Sequence, residues 1–381
     1  MASDPRQGTR VLQVVRPAVG GMRAHVLQLA TGLRALGFES ELACPGDSEL
    51  VHDALELGIQ VHPVPIVGPL RPLKDLLAVV SLAEVIRERR PAIIHAHGSK
   101  AALIARLATL VSRRTPTVVT VHNQVLYGGV SGAMRALYIW LERRLARRTA
   151  RVVTVSDALR AEMTDTIGLP AELVTTIHNG LDLSPFLAPS DRSGARGRYG
   201  VPDDALAFGL AARFAPQKAL DVLVEAAARV LAAEPHAWLV IAGDGPLLEF
   251  VRTKARATPV RDRMVFPGFE TDVAGLLGAL DLYVSPAIAE GLGLGTIEAM
   301  AAGLAVVGTA VGGTPEVVVD GETGVLVAAG KAAPLAEAIG RLLREPGTRK
   351  KMGDAGRRRA LAEFGEETML DRTAALYREV L

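Results

Sequence analysis

Glu290 and Glu298 stand on either side of a glycine-rich turn in the stretch DLYVSPAIAEGLGLGTIEAM, residues 281–300. An apolar, strand-like run of Leu282, Tyr283 and Val284 feeds the turn, Gly291, Gly293 and Gly295 punctuate it, and a helical run opens at Thr296. The glycines read at first like a dinucleotide fingerprint. That fingerprint needs glycine at its sixth position, where this chain has Thr296, and it normally follows a domain's first strand. The spacing offers instead a carboxylate on each side of a helix N-terminus. N–H groups from Leu292 through Gly293 and Leu294 to Thr296 would face a phosphate, while the two carboxylates accept hydrogen bonds from sugar hydroxyls. A nucleoside diphosphate with a sugar at each end suits that pattern.

Other residues with chemical potential fall at the ends of apolar runs. ARFAPQKAL brings Arg213 and Lys218 close to a helix start, a pair of cations that can neutralise a diphosphate. Gly20-Gly21, before a helix, lets backbone approach a ligand. The GDGP turn at 243–246, with Gly245, reads either as turn chemistry or as the wall of a nucleotide pocket. His95, His97 and His122 also end strands, with His122 the first choice to face a ligand. His97 lies nearer its strand end than His95, and Ser156 reads as the N-cap of DALRAEM. No spacing of His, Cys, Asp and Glu marks a metal site.

The elements that must position these residues alternate. RVLQVV (10–15), SELAC (40–44), AIIHAH (92–97), TVVTVH (117–122), RVVTVS (151–156) and TTIHN (175–179) read as strands with helices between them. A stretch rich in Pro, Gly, Ser and charge, 185–203, reads as a linker. The pattern then restarts through 207–213, 237–245, 263–269, 281–286, 304–310 and 324–329. Short apolar strands separated by helices imply parallel sheets, so the chain is α/β with two doubly wound domains, and ligands belong at the carboxyl ends of the strands.

The chain has 381 residues, too many for one ordinary core, and its 49% hydrophobic and 22% charged composition is that of a globular protein. A single cysteine, Cys44, gives no internal disulfide, so the cytoplasm is the expected compartment. No run reaches the roughly 20 apolar residues of a spanning helix. The net charge of +2 divides unevenly: residues 1–185 hold 21 basic and 16 acidic side chains, and the excess gathers in SGAMRALYIWLERRLARRTAR, 131–151. That segment reads either as a core-packed helix with a solvated basic face or as a helix on an anionic membrane surface. No nucleic-acid partner is expected.

The segment SPAIAEGLGLGTIEAMAAGLAVVGTAVGGTPEVVVDGETGVLV resembles the retaining, GT-B-type glycosyltransferases of family four, marked by two glutamates with seven residues between them and a following EAMA-x-G. VGGMRAHVLQLATGL, IIHAHG, TVVTVH, VVTVSDAL, IHNGLDLSPF, ARFAPQKALDVL, IAGDGP and PGF fall in the same order. The resemblance implies two Rossmann-like domains facing across a cleft: an acceptor-binding domain over 1–184, a donor-binding domain over 185–362, and a terminal helix over 363–381 returning to the first. It further implies metal-independent, cofactor-free transfer with retention from a nucleotide-diphosphate sugar to a saccharide, lipid-linked saccharide or small acceptor. Arg213, Lys218 and the backbone at Gly21 would meet the diphosphate, Glu290 the transferred sugar, Glu298 the ribose, and Leu292, Gly293 and Leu294 the phosphates. His122 would lie near the sugar, and Gly20, Gly245 and Gly268 would line the donor site. Leu292, Ala219 and Gly295 depart from the usual residues, which bears on donor choice. A nucleotide-sugar 2-epimerase and a catalytically silent binding subunit share the architecture; the glutamate spacing together with Arg213 and Lys218 favours transfer.

Overall fold

A computed structural model describes residues 8–17, 20–68, 70–112, 114–124, 132–188 and 191–381. Two compact units divide the chain. One comprises residues 1–180 and 366–381, the other 181–365.

The first unit is built on a parallel seven-stranded sheet: β1 (Thr9–Val15), β2 (Phe38–Cys44), β3 (Val61–Pro63), β4 (Ile93–His97), β5 (Thr117–Val121), β6 (Arg151–Thr154) and β7 (Val174–Thr176). Its order is β3-β2-β1-β4-β5-β6-β7. The central strands β4 and β5 are buried along their whole length because helices cover both faces of the sheet. One face packs Leu12, Val14, Ile94 and Ala96 beneath the helices Pro72–Arg89 and Gly98–Val111. On the other, Val11, Ile93 and Val118 pack with Leu29, Leu33 and the final helix, Glu366–Val380. That helix contributes Met369, Leu370, Ala374, Leu376 and Tyr377, so the C-terminal segment belongs to the first unit's core.

The second unit repeats the plan with β8 (Leu206–Ala211), β9 (Ala237–Ala242), β10 (Met264–Gly268), β11 (Leu282–Ser285), β12 (Ala305–Thr309) and β13 (Gly324–Val327), ordered β10-β9-β8-β11-β12-β13. All its pairings are parallel. The strand order reverses between β1 and β4 in one sheet and between β8 and β11 in the other. A crevice forms beside such a reversal, because the connections from the two strands leave on opposite faces.

Two expectations change. Residues 185–203 do not form a plain linker: Arg192–Tyr199 is a helix of the second unit, capped by the Asp191 carboxylate, which accepts from the Gly194 N–H. Its anchor is charge rather than an apolar stripe, which is why no period marked it. Arg196 is 1% exposed and bonds the Asp281 carboxylate and the carbonyls of Ala279, Pro202 and Asp203. Asp281 also accepts from Arg192 and from the Ala207 N–H at the start of β8. The units divide after Gly180 rather than 184, because the Leu181 N–H donates to the Phe364 carbonyl and draws residue 181 into the second unit.

Candidate active site

In the second unit the strands at the reversal, β8 and β11, carry the candidate residues on their outgoing loops. Past β8, Arg213 is exposed, and its side chain has no partner among the described residues. A single 3-10 turn, Pro216–Lys218, follows. It closes at Ala219, which sits in the left-handed region at φ 45° where a side chain costs about 1–2 kcal/mol. The helix Leu220–Ala233 begins at once, so the sharp turn at Ala219 directs Lys218.

Past β11, the turn delivers Glu290. The Lys218 Nζ lies 2.5 Å from the Glu290 Oε2, and both side chains are largely buried. Main-chain bonding joins their loops as well, the Ile288 N–H donating to the Gln217 carbonyl at 2.9 Å. A third loop, after β12, supports Glu290 from behind. Gly312 has φ +50°, and a Cβ there would lie 1.8 Å from the Glu290 carbonyl oxygen. Sequence reading assigned Gly312 no role; the signal that could have found it is the glycine pair in AVGGTPE.

The helix after the glycine turn starts at Leu294, two residues earlier than expected, with Gly293 at φ 98° as its N-cap. The Thr296 and Ile297 N–H groups donate to the Gly293 carbonyl. The preceding N–H groups of Gly293, Leu294 and Gly295 have no partner among the described residues, the ordinary condition of a helix start. Leu292 is buried. Gly295 is explained by Tyr283, whose hydroxyl would be 2.7 Å from a Cβ at that position. The space a larger residue would fill is taken by the phenol, which burial and the neighbouring Glu298 and Glu290 hold protonated well above its usual range.

Because the helix starts at Leu294, Glu298 projects from its second turn. Burial raises its carboxyl from 4.5 to about 7, so it holds its proton far longer than a surface glutamate would. The other loop glycines are structural neighbours of Arg213. Gly243 donates its N–H to the Gly268 carbonyl at 2.6 Å, and a Cβ on it would meet the Ala212 carbonyl. A Cβ on Gly245 would fall 2.6 Å from the Phe214 carbonyl, while Phe214 donates its N–H to Asp244. The GDGP turn is therefore sewn to the Arg213 loop by backbone contact.

In the first unit Gly20, at φ 59°, is the N-cap of the helix Gly21–Gly32. The Ser156 hydroxyl accepts from the Leu159 N–H, the capping bond its position predicts. His122 follows β5, 92% shielded, and its Nε2 is 3.1 Å from His97 Nδ1. His97 Nε2 is 2.8 Å from Gln13 Oε1. His95 shares the strand face of His97, its ring centroid 4.3 Å from that of His97, and it bonds Tyr377 and Thr120 at 2.6 Å each. Burial holds His95 at about 3 and His122 and His97 well below the usual imidazole range, so all three are neutral. The acceptor-side loop, 123–134, lies mostly outside the described residues.

The fold is a two-unit parallel α/β protein, and in the second unit the loops beside the strand reversal, with the helix Leu294–Ala301, carry Arg213, Lys218, Glu290 and Glu298. The family model for Glycosyltransferase Family 4 matches residues 19–185, and that for Glycosyl transferases group 1 matches 191–359. The chain belongs to these glycosyltransferases. It is 31% identical to a D-inositol 3-phosphate glycosyltransferase of Kribbella flavida, over 94% of this chain and 90% of that one. It is 28% identical to an alpha-maltose-1-phosphate synthase of Mycobacterium tuberculosis, over 95% and 96%. Among solved structures, Anabaena Alr3699/HepE in complex with UDP-glucose shares the fold at a TM-score of 0.85, 23% identity and 98% and 100% coverage. A glycosyltransferase of Rickettsia africae does so at 0.84, 22% identity and 98% coverage of both chains. The GT-B architecture of two Rossmann-like domains holds.

The raised carboxyl of Glu298 fixes a sign. The folded chain keeps this proton between pH 4.5 and 7 while the unfolded chain releases it, so stability falls as pH rises through that window and is level above it. Glu298→Gln should raise unfolding stability at pH 8 by up to about 3 kcal/mol, with the gain shrinking towards pH 5 in urea titrations. A gain independent of pH would show that Glu298 is not held protonated by burial.

Proposed function

We propose that the chain transfers a sugar with retention from a nucleotide-diphosphate sugar to a hydroxyl of a saccharide, lipid-linked saccharide or small acceptor, without a metal or cofactor. The observation that carries this reading is the Lys218–Glu290 contact beside the unpaired start of the helix Leu294–Ala301. A cation, a hydrogen-bond acceptor and a row of backbone N–H groups stand together, the set a diphosphate joined to a sugar requires. In the free enzyme Lys218 and Glu290 satisfy each other. When the donor enters, Lys218 turns to phosphate oxygens and Glu290 accepts from sugar hydroxyls.

Charge grows on the leaving diphosphate as its bond to the sugar breaks. Arg213, Lys218 and the N–H groups of Gly293 and Leu294 meet it, and stabilisation of charge that develops only in the transition state accelerates the step. Glu298 takes the ribose hydroxyls, Gly21 and Gly20 bring backbone to the diphosphate, and Gly245 and Gly268 wall the nucleotide. His122, neutral, orients the sugar. The acceptor hydroxyl attacks the sugar carbon from the face the diphosphate leaves, and the leaving phosphate takes the hydroxyl's proton, so transfer with retention needs neither a protein nucleophile nor a separate protein base. Relatives named for sugar transfer, and a fold neighbour solved with UDP-glucose, support this class of donor.

A specific observation also favours membrane contact. On the helix Gly132–Ala146, the expected apolar face of Leu137, Trp140, Leu141 and Leu145 is only partly covered: Leu137 and Trp140 are exposed at 46% and 60%, as is Met134 beside them at 48%, while Leu141 and Leu145 are half-buried. Arg135, Arg144, Arg147 and Arg148 are exposed close to it. Apolar side chains flanked by arginines match an anionic lipid surface. No helix among the described residues is long and apolar enough to cross a membrane.

Lys218→Ala and Glu290→Gln should each lower transfer by about 100-fold or more while leaving the thermal unfolding cooperative, measured by release of nucleoside diphosphate in the presence of acceptor. Wild-type rates in both would refute the site. Sedimentation with anionic vesicles should be salt-sensitive and weakened by Trp140→Ala and by replacing Arg144, Arg147 and Arg148 with glutamine. Equal recovery with neutral vesicles would refute the membrane contact.

A further inference from the structure

Three histidines from separate elements meet inside the first unit: His25 on the helix Gly21–Gly32, His97 at the end of β4, and His122 just past β5. They are 5%, 0% and 8% exposed. One ring nitrogen from each lies within 4.8 Å of the others. Their ring centroids form a near-regular triangle, 5.6 Å for His25–His97, 4.9 Å for His25–His122 and 5.4 Å for His97–His122. A tetrahedral ion bonded to imidazole nitrogens at about 2.0–2.1 Å holds those nitrogens ~3.3 Å apart. His97 Nδ1 and His122 Nε2 are already 3.1 Å apart.

Two further observations point to a ligand. Both ring nitrogens of His25 are buried without a hydrogen-bond partner, a condition that costs about 1–3 kcal/mol for each group. His97 is oriented from behind: its Nε2–H donates to Gln13 Oε1, and the Gln13 amide in turn donates to Ser40 Oγ and the Tyr377 hydroxyl, each at 3.3 Å. That bond fixes the tautomer and leaves the Nδ1 lone pair facing the cluster, as outer partners do for metal-binding histidines. Burial keeps His25 at about 4 and the other two rings neutral as well, so no proton need be lost before coordination.

We propose that His25, His97 and His122 bind one zinc-like divalent transition metal ion through three imidazole nitrogens, with a fourth position open. Imidazole favours zinc, copper, nickel and cobalt over magnesium and calcium. In the metal-free protein the His97–His122 contact is an N–H···N bond with His122 donating. As the ion enters through His122 Nε2, that proton moves to His122 Nδ1, the ring stays neutral, and no proton is lost overall. Because the reading above places His122 beside the transferred sugar, occupancy withdraws it from that role and inhibits transfer. The spacing of residues 25, 97 and 122 follows no motif; only the β1–β4–β5 neighbourhood and the helix above it bring them together.

The test is titration of the full chain with Co²⁺, read by visible absorption, and with Zn²⁺, read by calorimetry, against Mg²⁺. The expected result is one Co²⁺ per chain with the intense bands of a tetrahedral nitrogen site, and no Mg²⁺ binding. Affinity should fall at least 10-fold in His25→Leu and in His25→Asn, and be retained in His52→Ala, a surface control. Zn²⁺ should slow transfer by the wild type but not by His25→Leu. Absence of saturable Co²⁺ binding, or wild-type affinity in both His25 variants, overturns the site, and binding without inhibition overturns its inhibitory role. Transfer measured without added metal bears on the glycosyltransferase reading alone, so the two can fail separately.

Discussion

Glu290 is held by a backbone approach that no side chain could make. Gly312 presses against its carbonyl oxygen, at a distance and φ that exclude a Cβ. The parallel sheet of the second unit brings every strand's carboxyl end to one edge, but it does not by itself fix the loops leaving that edge. Main-chain contacts do so, from Gln217 to Ile288, from Gly312 to Glu290, and from Gly245 to Phe214. The loops that carry Arg213, Lys218 and Glu290 are therefore tied to their neighbours through backbone, and Lys218 and Glu290 meet at 2.5 Å.

Function in this chain is bought with buried polarity. Glu298 keeps a carboxyl where burial disfavours its charge, and His25 carries two unpartnered nitrogens. Stability is supplied elsewhere, by sheets of Val, Ile and Leu covered on both faces and by a final helix that sinks Tyr377 and Met369 into the first unit's core. Arg196 shows the contrasting case of a buried charge that is fully used, bonding a carboxylate and three carbonyls.

Strands were readable in the sequence because parallel strands covered on both faces are short unbroken apolar runs, as in AIIHAH and TVVTVH. The Lys218 and Glu290 positions were readable because they lie on the loops that leave such runs. The helix Arg192–Tyr199 was not, since a salt bridge to Asp281 holds it and leaves no apolar period. β3 is only three residues long, too short to register as a pattern. Glycines at 293 and 295 mask the helix start in the sequence, and the need for Gly295 lies in Tyr283, which occupies the space beside it. The neutrality of His97 and His122 depends on burial by residues far apart in the chain, which spacing cannot reveal.

The central claim is that the second unit grips a sugar nucleotide, not a dinucleotide. Thermal unfolding of the wild-type chain across a panel of UDP-, GDP-, ADP- and dTDP-sugars beside NAD and NADP tests it most directly. A donor at 100 times its Kd adds about 2.7 kcal/mol of apparent stability. One class of nucleotide sugar should raise the midpoint saturably, and the dinucleotides should leave it unmoved. A saturable rise with NAD or NADP, and none with any nucleotide sugar, would contradict the claim.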